Sequence, residues 1–187
     1  MMEVDLIINM GFFISDLHNH IAKLHVQQFS GQSTSHAFTV YHDQGLPKND
    51  FDRMVNLQGG LLLFNNFLST SIHRKVSRNF ARQTMETSNL VGNLFVIKID
   101  PSIVSTSFAD VRDISYFKGE EVLLSMHSIF RIEAMKQIDG NNRLWQVNLT
   151  LTSDNDPDFH ALTARMREET KGPTGWLRLG KLMVELA

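Results

Sequence analysis

The segment 129–151 constrains the fold more than any other part of the chain. Phe130, Ile132 and Ala134 alternate with Arg131, Glu133 and Met135, and after Asp139-Gly140-Asn141-Asn142 the alternation resumes at Trp145, Val147, Leu149 and Leu151. A period of two sends successive side chains to opposite faces, and the intervening acid, glycine and amides suit a tight turn. The segment therefore predicts a hairpin that closes a sheet. Further strand signals lie at 37–41 (AFTVY), at 94–100 (LFVIKID, closed by Pro101) and at 122–126, where Val122, Leu124 and Met126 share one pleat face.

Helical periodicity marks the rest. Ile14, Leu17, Ile21 and Leu24 predict an amphipathic helix over 5–28 with a break near Gly11. A helix after Pro47 takes Asn49 or Asp50 as N-cap and stops at Gly59-Gly60; others span 74–85 and 159–169. The polar tract 30–36 reads as a loop, and 108–113 is ambiguous. With 187 residues and 42% hydrophobic content, the chain fills one core.

Composition removes several function classes. A formal charge of −2 offers no attraction for nucleic acid or an anionic membrane, and no apolar run reaches the ~20 residues of a membrane span. The absence of cysteine excludes disulfides, thiolate nucleophiles and cysteine-based zinc sites. With no signal-peptide pattern at the start, a cytoplasmic location is the simplest expectation. His18, His20 and His25 fall on the first helix, but His18 and His20 point in roughly opposite directions; they are expected on a solvated face, and no metal is expected.

Three separated stretches carry chemistry. His42-Asp43-Gln44-Gly45 ends the first strand in a turn. Ser69-Thr70-Ser71 packs hydroxyls behind Phe67 and Leu68, a pattern that also serves as a helix cap. Glu120 and Glu121 stand at the mouth of the 122–126 strand, where partial desolvation and a fixed rotamer suit a carboxylate to stabilising positive charge; two solvated loop acids are the plainer reading.

In order and spacing, VYHDQGL, FLSTS and GEEVLLSMHSIFRI resemble the arginine–serine–glutamate family of ADP-ribosyltransferases, and within it the eukaryotic mono-ADP-ribosyltransferase domains that precede tetratricopeptide repeats. The resemblance covers 38–151. It implies an α+β, ADP-ribosyltransferase-like fold over 1–170, with N-terminal helical segments, a split, mostly antiparallel β core of two small sheets, and a C-terminal helix at 171–187. There Trp176, Leu179 and Gly180 match the W-x-x-L-G opening of a tetratricopeptide repeat.

The resemblance further implies a glycosyltransferase-class enzyme that takes NAD as substrate, uses no metal and releases nicotinamide. ADP-ribose would pass to an unknown protein acceptor or to water. Glu121 matches the catalytic glutamate, with Glu120 beside it, and Ser69 matches the serine that orients that carboxylate. His42, Gln44, Gly45, Ser69, Thr70 and Ser71 fall at cofactor-binding positions, with Phe64 or Phe67 stacking on nicotinamide. Three positions depart from the family pattern: His42 replaces its strand-end arginine, Asp43 the small residue after it, and Gly119 the first acid of Glu-x-Glu. A neutral imidazole donates one hydrogen bond where a guanidinium donates five. An ADP-ribosyltransferase-like interaction or regulatory module, catalytically impaired, is accordingly the second expectation.

Overall fold

A computed structural model describes residues 2–29, 36–103, 106–115, 121–153 and 155–169. Gly119, Glu120 and the repeat-like segment 171–187 lie outside the described residues. The chain forms two compact units, Met1–Ser153 and Asp154–Ala187.

In chain order the first unit contains α1 (Met2–Phe29), β1 (Phe38–Leu46), α2 (Lys48–Asn56), β2 (Leu61–Phe64), β3 (Leu68–Ser71), α3 (Arg74–Thr87), β4 (Val91–Ile99), β5 (Phe108–Asp110), β6 (Glu121–Leu124), β7 (Ser128–Gln137) and β8 (Leu144–Leu151). In the second unit, α4 (Pro157–Glu169) starts where Asp156 Oδ1 accepts the amides of Asp158 and Phe159 at 3.0 and 3.3 Å, a side-chain N-cap followed by proline in the first turn.

The α+β expectation holds, but the strands form a single hydrogen-bonded sheet, in the order β2-β7-β8-β4-β1-β3-β6-β5, where two small sheets were expected. The join between its halves is narrow. β1 pairs with β4 over nine positions, from Phe38↔Ile99 to Leu46↔Val91, yet with β3 only at Tyr41↔Ser71. Beyond that pair β1 and β3 share no further register, so one wing, β3-β6-β5, meets the other at a single point.

The 129–151 hairpin forms as expected. Asp139 and Gly140 have φ of 58° and 64°, and Asn141 N–H donates to the Ile138 carbonyl at 3.2 Å, which is a type I′ turn. The alternation in β7 slips, however. Ile132 faces Leu149 and Met135 faces Val147, so a bulge inserts one residue into β7. Beyond it Ala134 is exposed, and Met135 packs against the core in its place.

Two helices cover opposite parts of the sheet. α3 lies close because the strands beneath it carry glycine: a Cβ at Gly92 would stand 2.4 Å from the Ala81 carbonyl oxygen, and one at Gly45 would stand 2.5 Å from Thr84 Cγ2. α1 runs unbroken through Gly11 and docks along β5 with a stripe of residues at helical spacing. Ile21 is 1% exposed and packs with Ala109 and Val111, while Leu17, Leu24, Phe67 and Leu123 surround them.

His25 shares that stripe, contrary to the expected solvated face, whereas His18 and His20 are exposed as expected. His18 Nδ1 meets Ser125 Oγ at 2.6 Å, and His25 Nδ1 lies 3.0 Å from the Phe108 carbonyl oxygen. Gln28 donates to the Asp110 carbonyl at 2.8 Å and accepts its N–H at 2.9 Å, so its amide supplies both ladder partners that the edge strand lacks. α2 also differs from expectation. It begins at Lys48, ahead of Asn49 and Asp50, with Pro47 at the N-cap and no side-chain cap.

Candidate active site

The junction between β1 and β3 organises the candidate site. Where the β1–β3 ladder stops, the His42 ring enters the gap and its Nδ1 lies 2.8 Å from the Ser69 carbonyl oxygen. A carbonyl only accepts, so the imidazole carries its proton on Nδ1. The ring stacks on Phe95 at 6.1 Å and meets Phe64 edge-on at 6.2 Å. Burial among these rings pushes the His42 pKa down, against the smaller opposing effect of the Ser69 bond, so the imidazole is neutral at pH 7.

Ser69 then links β1 to the acid. β3 pairs with β6 through Ser71↔Glu121 and Ser69↔Leu123, which puts Ser69 and Glu121 on one face and Thr70 and Val122 on the other. On the first face Ser69 Oγ donates to Glu121 Oε1. On the second, Thr70 is 3% exposed and its hydroxyl donates to the Val122 carbonyl at 2.6 Å, stitching β3 to β6 from the core side. Ser71 Oγ accepts the His73 amide at 3.0 Å in the turn that leads into α3. The three hydroxyls thus hold an acid, a strand and a turn in succession.

Glu121 has a second hydroxyl partner. Ser115 Oγ donates to Oε2 at 2.8 Å, so both carboxylate oxygens are engaged. Nothing in the sequence singled out Ser115; a serine in a loop is common, and it comes to the acid through Val111, which bonds both the Ser115 and the Glu121 backbone.

The remaining sequence-predicted residues fall in different surroundings. Phe64 is 8% exposed with its ring against His42, Phe95 and Phe130, which leaves Phe67, half-buried beside α1, as the candidate with aromatic surface to offer. Gln44 is exposed and its carbonyl accepts from Asn93 Nδ2 at 3.3 Å. Gly45 is pressed against α3. Asp43 shares the α3 side of β1 with Gly45, because neighbours along a strand alternate; its carboxylate therefore points away from the face that carries His42. Partial burial raises the Asp43 pKa to about 6, and a bond to its own backbone opposes the shift more weakly.

No family model matches the chain, and no curated protein matches it. Among solved structures, C3stau2 from S. aureus, determined with NAD, aligns with a TM-score of 0.51 over 78% of this chain and 72% of its own at 14% identity. The fold is that of the ADP-ribosyltransferases. HopU1 of Pseudomonas syringae, an ADP-ribosyltransferase, aligns with a TM-score of 0.49 at 20% identity over 64% of this chain and 47% of its own. The Vis toxin of Vibrio splendidus, another ADP-ribosyltransferase, gives 0.49 at 18% over 65% and 51%. The chain thus spans about half the length of HopU1 and Vis.

On this ADP-ribosyltransferase fold, the three sequence stretches singled out at the start meet at one place. His42, Ser69 and Glu121, 27 and 52 residues apart in succession, are linked through Ser69, whose backbone carbonyl meets His42 and whose hydroxyl meets Glu121.

Proposed function

We propose that the chain is an NAD-dependent mono-ADP-ribosyltransferase, able also to hydrolyse NAD. The observation that carries this reading is the chain of contacts from His42 through Ser69 to Glu121, formed by the three stretches in which the sequence resembles the family. C3stau2, determined with NAD, supports NAD as the ligand.

In this reading Glu121 stabilises the reaction's developing charge. As the C1′–N bond of NAD breaks, its electron pair passes to the pyridinium nitrogen, nicotinamide leaves neutral, and the positive charge moves to the ribose as an oxocarbenium-like centre. A fixed carboxylate beside that ribose interacts most strongly when the charge is fully developed, so it stabilises the transition state more than bound NAD. An acceptor nucleophile or water then bonds to C1′ and gives up its proton. Ser69 orients the carboxylate, Phe67 offers a surface for nicotinamide, and His42 presents a neutral ring whose unprotonated Nε2 is an acceptor.

A second reading rests on His42 itself. Held neutral by burial, it supplies no positive charge for a pyrophosphate. That favours an ADP-ribosyltransferase-like module that binds partners without turning over NAD.

An NAD titration followed by nicotinamide release separates the two. The enzyme reading expects NAD binding and turnover, with Glu121→Ala lowering the rate by ~10²-fold or more. No binding by the parent, together with binding by a His42→Arg, Asp43→Gly variant, would establish the module.

A further inference from the structure

The Ser115 contact goes beyond a single hydrogen bond. The turn that carries it is tied to the backbone of the very residue it serves: Val111 N–H donates to the Glu121 carbonyl at 3.0 Å, and the Val111 carbonyl in turn accepts the Ser115 amide at 2.8 Å and the Ile114 amide at 3.1 Å. Val111 is itself 8% exposed and packed with Ile21 and Ala109 under α1, so the turn has a rigid base. Ser115 is thereby delivered to Glu121 from β5, on the opposite side from Ser69 on β3.

Two donors on two oxygens do what one cannot. A carboxylate held at Oε1 alone still turns about its Cγ–Cδ bond, and Ser69, which makes that contact, is solvent-exposed. A second donor at Oε2 fixes the plane of the group. Preorganised charge is effective because it needs no reorientation as the reaction proceeds.

The geometry points to Ser115 as a positioning residue that, with Ser69, fixes the Glu121 carboxylate plane; this rests on the reading of Glu121 as the charge-stabilising group. Ser115 acts through Glu121 and touches neither NAD nor an acceptor.

The test compares the parent chain with Ser115→Ala and Ser115→Thr. Nicotinamide release from NAD is measured alongside the side-chain order of Glu121, from NMR relaxation on protein carrying 13C-labelled glutamate. Ser115→Ala should lower kcat about tenfold while KM for NAD stays within about twofold, the pattern of an interaction realised in the transition state. Ser115→Thr, which keeps the hydroxyl, should recover most of that loss. Glu121 order should fall in the alanine variant and return in the threonine variant. Full kcat for Ser115→Ala in an active parent, or unchanged Glu121 order, overturns the assignment. A parent that releases no nicotinamide refutes the proposed activity alone, because the relaxation measurement still decides whether Ser115 holds the carboxylate.

Discussion

Ser71 stands directly opposite Glu121 across the β3–β6 ladder, and this register brings Ser69, two residues earlier on the same face, to the Glu121 carboxylate. A slip of one residue would send Ser69 to the core side and leave the acid without that donor. The buried Thr70 hydroxyl bonded to the Val122 carbonyl holds the register in place.

Removal of the Ser69 hydroxyl should act on the chemistry. A hydrogen bond to a charged group contributes about 1.5–3 kcal/mol, so Ser69→Ala should lower kcat for nicotinamide release by roughly tenfold or more. Ser69 is exposed and its side chain fills no core space, so the melting temperature should move little. Steady-state kinetics beside a thermal melt would check both; a large loss of stability with unchanged kcat would assign Ser69 to the fold instead.

Stability should depend on pH through Asp43. Its folded pKa of about 6 lies above the ordinary 3.8, so the native state binds more protons between these values. The Asp43 contribution to stability therefore falls as pH rises from about 4 to about 6, and is constant above. Asp110 and Asp139, held below the ordinary carboxylate range by hydrogen bonds from Arg112 and Arg78, act below this window. His42 acts the other way: its lowered pKa contributes stability that is present above its ordinary 6.5 and is lost as pH falls through the folded value. Asp43→Asn should remove the descending limb and raise stability at pH 7 by about 1–2 kcal/mol once partial exposure to solvent is allowed for. Urea denaturation of parent and variant between pH 4 and 8 would test this; parallel profiles would show that Asp43 ionises freely.

Two glycines should respond in opposite directions to alanine. At Gly92 the new Cβ would meet the Ala81 backbone carbonyl, which cannot swing aside, so Gly92→Ala should destabilise by about 1–3 kcal/mol. At Gly11, within α1, no atom beyond the helix's own local backbone lies within 4 Å of an added Cβ, and Gly11→Ala should stabilise by up to about 1 kcal/mol through helix propensity. Thermal melts of the two variants should therefore shift in opposite senses.

Periodicity alone determined much of this chain. The alternation over 129–151 and its Asp139-Gly140 turn dictated a hairpin, because pleat and turn chemistry are local properties. The 3.6-residue repeat of Ile14, Leu17, Ile21 and Leu24 likewise dictated α1. The order of VYHDQGL, FLSTS and the Glu121 loop already pointed to the family whose fold the chain adopts. Other features were decided only by tertiary structure. The bulge that exposes Ala134 depends on how β7 meets β8, and His25 turned inward because α1 lies along an edge strand that needed hydrogen-bond partners. The Ser115 contact belongs to the same class. Its hydroxyl reaches Glu121 through a turn anchored by long-range packing and backbone bonds, and such distances in space are not encoded in any local spacing of residues.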